Sequence, residues 1–147
     1  MSGGCVLPDV IDALVVLWRA GLPPQVQVVD GPPTVDVRGA ALLVGWTPLV
    51  EQTQGTFTTA GLRVEREAIA QVPCVARSWS GSADVAAQRR DTFAILTSAR
   101  DALRADRTLG GLVLAARCAG YTYSATVNEQ GQLIVDVMFP VEITHLA

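Results

Sequence analysis

The sequence predicts an α+β domain: a mainly antiparallel sheet packed against one long helix, with an additional N-terminal helix. Three observations carry this. Apolar residues recur at helical spacing from Val10 to Trp18, and again through Phe93, Leu96 and Leu103. The C-terminal region alternates apolar and polar residues with a period of two. Between the helical stretches, β-prone segments follow one another instead of alternating with helices. A chain of 147 residues is one ordinary domain, 1–147, long enough to bury a core without disulfides or metals.

Pro8 suits a first helical position, Val10, Leu14, Leu17 and Trp18 share a face, and Gly21 with "LPP" at Leu22–Pro24 ends that helix. "QVQVVDGPP" gives a short strand, Val26–Val29, stopped by Asp30, Gly31 and two prolines. "AALLVGW" gives a second, whose unbroken hydrophobicity predicts burial on both faces. Residues 51–61, "EQTQGTFTTAG", are polar and threonine-rich around Phe57, and predict either a mobile loop or an extended hairpin arm. From Leu62 to Trp79 the β-prone character returns, with Pro73 arguing for an edge, a bend or a break into two strands.

Ser82 is placed to cap the long helix, with Asp84 in its first turn where the helix dipole favours an acid. The polar face carries Arg89, Arg90, Asp101 and Arg104, either solvated or paired with a neighbouring subunit. "RADRTLGG" stops the helix. Asp106 and Thr108 make local turns, Gly110 and Gly111 tolerate positive φ, and Leu109 folds back on the core. A hairpin closes the chain, with Tyr121, Tyr123, Ala125 and Val127 facing the core and, after the turn "EQG", Leu133, Val135, Val137, Phe139, Val141 and Ile143 on the same side. Its opposite side is mixed, Asp136 and Glu142 beside Ile134 and Met138.

Composition narrows the function. The chain is 50% hydrophobic and 17% charged, with a mean hydropathy of +0.34, more apolar material than a solvated monomer needs, so another subunit is expected to cover part of it. A net charge of −3 and a pI near 5.0 disfavour sequence-specific nucleic-acid binding. Val10–Leu22 is too short and too interrupted for a membrane span, and "MSGGCVLPD" lacks a signal peptide's basic start, so the chain is expected in the cytoplasm where it is made. Cys5, Cys74 and Cys118 are too scattered for a disulfide framework or zinc site and read as reduced thiols.

Catalytic constellations are missing. The single histidine, His145, stands near the C-terminus, and the carboxylate pairs Asp30/Asp36 and Glu65/Glu67 read as solvated acids. Gly110-Gly111 is followed by Leu112, Val113 and Leu114, so the lysine and hydroxyl of a P-loop are absent, as is the spacing of a dinucleotide fingerprint. The expectation is a protein that is not an enzyme and takes no cofactor and no metal.

"VQVVDGPP", "LLVGW", "LRADRTLGGLV" and "LIVDVMFPVEI", in that order over nearly the whole chain, resemble the tail terminator and tail completion proteins of long-tailed bacteriophages, particularly those of actinobacteria. The resemblance implies a virion protein that forms a homo-oligomeric, commonly hexameric, ring on the last ring of the tail tube. Such a ring stops tube polymerisation and meets the head–tail connector or head-completion protein. Asp106, Thr108, Leu109, Gly110 and Gly111 match the family's recurring turn; Asp30, Gly31 and Pro32 match its first-strand exit. No active-site residue is implied. Ring closure needs two different faces on one chain. Trp46, Trp79, Arg89 and Arg90 are candidate anchors, because tryptophan and arginine are enriched at interface centres. Phe57 joins them on the arm, while a core position is the plainer alternative for each tryptophan. Another neck or tail-tube component, or a small-ligand or nucleotide-binding enzyme domain using the glycine pair, are the alternatives.

Overall fold

The computed structural model describes residues 7–33, 39–48, 54–60, 64–81 and 84–144, with 54–60 and 64–70 as backbone. The described elements run α1 (Leu7–Gly21), β1 (Gln27–Asp30), β2 (Gly39–Val44), β3 (Gln54–Ala60), β4 (Val64–Ser80), α2 (Val85–Ala105), β5 (Ala115–Cys118), β6 (Thr122–Val127) and β7 (Leu133–Thr144). The strands form one mixed sheet in the order β1-β2-β4-β7-β5, with β3 also pairing with β4 and β6 with β7. β1 and β2 are parallel; the other pairs are antiparallel. The fold is α+β. Gln54–Ala60, within the segment expected as a loop or an arm, is a strand hairpinned onto β4, with a register shift between Thr56 and Phe57.

The largest departure from the sequence reading is β4. Pro73 neither ends nor breaks it: the strand runs unbroken through the middle of the sheet. The register explains why. Pro73 lies directly opposite Pro140 of β7, and their carbonyls point away from each other, accepting from the amides of Trp46 (2.9 Å) and Ala119 (3.0 Å) respectively. The pair is therefore a non-hydrogen-bonded position of the ladder, where a missing N–H removes no bond. Pro73 sits where β4's neighbour changes from β2 to β3, and Pro140 where β7's changes from β5 to β6. Each proline marks a switch of partner.

Both helices pack on one face of this sheet. Val10, Leu14 and Trp18 are fully buried at four-residue spacing on α1, and they meet Ile95, Leu96, Ala99 and Leu103 of α2 over Leu42, Val44, Val72, Cys74, Val137, Phe139, Val141 and Ile143. Burying each large side chain contributes about 1.5–3 kcal/mol. Trp18 fixes the helix pair. Its Nε1 donates to the Ala99 carbonyl at 3.0 Å, and its ring meets Phe139 edge-on at 6.3 Å. Gly21 lets the helices close: a Cβ there would stand 3.2 Å from that of Ala102.

Asp84, not Ser82, caps α2: its side chain accepts from the Ala87 amide at 3.0 Å. Asp84 therefore sits one position before the first turn, and Ser82 lies outside the described residues. Gln88 then ties the helix to two strand ends, its Nε2 donating to the carbonyls of Ser78 (3.0 Å) and Leu133 (2.9 Å). On the other face of the sheet, Leu43, Val75 and Met138 form a smaller buried cluster with Val29 and Trp46 against it. Ala41, Leu42, Leu43 and Val44 are all fully buried, so β2 is covered on both faces.

Candidate functional site

Among the described residues, three exposed large apolar side chains gather at β6 and the residue before it. Tyr121 is 61% exposed, Tyr123 37% and Val127 66%, where the alternation of the sequence predicts a face turned to the core. The alternation is correct and the burial is not. Tyr123 and Val127 stand opposite Val137 and Leu133, on the helix-covered face, but α2 packs over β4, β7 and β5 and leaves β6 beyond its flank. Phe93, at that flank, meets the Tyr121 ring edge-on at 5.2 Å and Tyr123 at 5.9 Å. The aromatic cluster forms the rim of the core.

β6 also carries a free edge. The Asn128 amide donates to the Gln132 carbonyl at 2.9 Å, which sets the ladder phase: Thr126, Ser124 and Thr122 bond inward to β7, whereas the N–H and C=O groups of Tyr123, Ala125 and Val127 point outward. Unpaired backbone beside exposed aromatics is a template for another strand. β3 pairs only with β4 and also has an outer edge without a strand among the described residues, while the edges of β1 and β5 are partly blocked. Arg19 caps the Val28 carbonyl of β1 (Nη2 at 3.2 Å), and the Ala116 amide of β5 donates to Arg107 O at 2.8 Å.

The structure divides the residues singled out from sequence. Arg89 and Arg90 are exposed on α2, one turn before Phe93 and so beside the β6 surface. Trp46 and Trp79 lie on the other sheet face, both half-buried. The Arg77 guanidinium stacks on Trp46 at 5.5 Å while bonding Asp136 in bidentate fashion at 2.7 and 2.9 Å; Trp79 Nε1 donates to Gln132 Oε1 at 2.8 Å. Both tryptophans are thus held by partners within the chain. The Phe57 backbone pairs with Glu67 on the β3–β4 hairpin; its side chain lies outside the described residues, as do Asp36, His145, Cys5 and the side chains of Glu65 and Glu67.

The turn residues are tied together. Gly31, at φ 82°, donates its amide to Val44 O at 2.7 Å, just beyond Asp30. Asp106 is the C-cap of α2; its Oδ1 accepts from the Gly110 amide at 3.0 Å, and Thr108 Oγ1 accepts from the Gly111 amide at 3.1 Å. Gly110 and Gly111 take φ of 69° and 90°, and Leu109 also lies in the left-handed region at 51°, with its side chain in the core. Both glycine amides are therefore occupied by side chains of their own turn, which leaves no pair of donors facing outward for a phosphate.

Cys74 and Cys118 are free thiols. Burial raises Cys74 far above its usual range; burial also pushes Cys118 up to about 11, opposed by the charge of nearby Arg100. Neither is an activated nucleophile. Among the described residues, no three His, Cys, Asp or Glu side chains converge as metal ligands, and no helix is long and apolar enough to cross a membrane.

No family model matches the chain, and no curated protein does. Among solved structures, a chain of the "Virion of native gene transfer agent (GTA) particle" aligns with 89% of this chain and 84% of its own length, at 12% identity and a TM-score of 0.32. That degree of superposition carries no argument about function.

Proposed function

We propose that this chain is a structural protein of a phage-type virion and not an enzyme. It assembles as a homo-oligomeric ring, caps the tail tube and presents a surface to the head–tail connector. The observation that carries the reading is the β6 edge, where outward backbone groups at Tyr123, Ala125 and Val127 coincide with the exposed rings of Tyr121 and Tyr123. Strand addition there pairs the backbone and covers the aromatics in one step. A head-to-tail contact using this surface and a different face of the neighbour closes into a ring when the rotation per subunit divides a full circle. The order of sequence segments shared with tail terminators supplies the virion context, with the tail tube and the connector as the partners.

The test is electron microscopy and light scattering of the purified protein, alone and with the tube protein, for the wild type and for Ala125→Pro. Closed rings or capped tubes that are lost in Ala125→Pro are expected. Long open tubes would assign the chain to the tube itself, and an unassembled wild type would remove the reading.

A further inference from the structure

All eleven basic residues of this acidic chain are arginines, and four converge at one place. Arg100 and Arg104 stand one turn apart on α2, Arg107 follows its C-cap, and Arg117 comes from β5. Together they line a groove of about 280 Å³ completed by Leu103 and Cys118. Arg117 pairs at the rim with Glu142 at 3.1 Å. The side chains of the other three make no ion pair or hydrogen bond among the described residues, nor does that of Asp101 beside them. One cation in the last turn is enough to complement the carbonyl end of a helix, and Arg104 supplies it. Three unpaired guanidiniums around an apolar-walled concavity exceed that need. Their planar forks match carboxylates two bonds at a time.

The same chain carries the complementary surface elsewhere. Asp9 and Asp12 are exposed on α1, one turn apart on one face, and neither has an ion-pair partner among the described residues. Val16, one further turn along, is 68% exposed. α1 packs on the β1 end of the sheet, whereas the groove adjoins β5 at the other. Asp12 and Val16 look onto the Leu109–Gly110 side of the turn that ends α2, and the guanidiniums onto its β5 side, so one copy offers unpaired carboxylates and unpaired guanidiniums on two separate surfaces, as a head-to-tail contact requires.

We infer that the arginine groove receives Asp9 and Asp12 of a second copy of this chain. The inference rests on the ring reading and adds the charge contact that sets its register. The test measures the concentration midpoint of self-association by light scattering in folded variants, checked by circular dichroism. Arg100→Glu with Arg104→Glu, and separately Asp9→Arg with Asp12→Arg, each raise the midpoint about tenfold or more, and the fourfold variant carrying all these changes recovers it. Weakened pairs without recovery in the fourfold variant would place the two clusters in separate contacts and overturn the inference. Charge-reversed pairs that associate like the wild type, while Ala125→Pro does not, would overturn it and leave the ring reading standing. Loss of binding to a short DNA duplex in Arg100→Glu/Arg104→Glu, with association unchanged, would assign the groove to phosphates. A wild type that never associates overturns both.

Discussion

Ala125→Pro separates assembly from folding because the ladder phase of β6 decides which amides matter. Ala125 stands opposite Val135 in a non-hydrogen-bonded pair, so its N–H faces outward; Thr126, opposite Ile134, bonds inward. Proline at 125 removes an amide that water solvates in the monomer, and edge strands accept proline at such positions, so the fold should lose less than about 1 kcal/mol. An incoming strand loses one bond outright and, displaced by the ring, a second. At about 0.5–1.5 kcal/mol per bond, association weakens by about 1–3 kcal/mol, or about 5- to 150-fold in the midpoint. Thr126→Pro is the mirror experiment, breaking the ladder to β7 and destabilising the monomer by about 1–3 kcal/mol. Urea unfolding gives the stabilities and sedimentation velocity the midpoints. If Ala125→Pro unfolds as readily as Thr126→Pro, the deduced phase of the strand is wrong. If it associates like the wild type, β6 is not the contact.

Other consequences concern the fold. Trp18→Phe keeps most of the apolar contact and removes the indole bond to the Ala99 carbonyl, which keeps its partner in the helix ladder of α2, so the lost bond costs about 0.5–1.5 kcal/mol in urea unfolding. Arg77→Ala strands the nearly buried Asp136 carboxylate and should cost about 3–5 kcal/mol, with partial recovery in Arg77→Ala/Asp136→Ala. Gly111→Ala meets no atom within 4 Å, so its penalty is that of the left-handed backbone alone, about 1–2 kcal/mol; a panel of nucleotides should leave the melting temperature of wild type and variant unchanged. For Cys118, folding raises the thiol from 9.0 to about 11. Its stabilising effect is complete below pH 9 and lost as pH rises through the folded value, which a pH series of unfolding curves for wild type and Cys118→Ala reads directly.

How far the sequence went depended on whether a residue's own neighbours determined its surroundings. The helical face of α1 and the alternation of β7 were legible because burial there follows the local period, and the turn at Asp106–Gly111 because its bonds run between residues a few positions apart. The course of β4 at Pro73 was left open between an edge, a bend and a break, since Pro73 is tolerated in mid-sheet only because Pro140, far along the chain, lies opposite it. β5 was not read as a strand: "AARC" is too short to show a period and gains its place by pairing with Glu142–Thr144 and their neighbour. The β6 surface was assigned inward because alternation identifies a face, whereas exposure depends on how far α2 reaches across the sheet. The arginine groove joins a helix end to a strand, and only the tertiary fold brings Arg117 to Arg100, Arg104 and Arg107.

The most direct measurement is negative-stain electron microscopy of the purified wild-type chain over a concentration series, with and without tail tubes. The account predicts closed rings of one size that seat on tube ends and vanish with Ala125→Pro. Monomers at every concentration, with tube ends left bare, would contradict it.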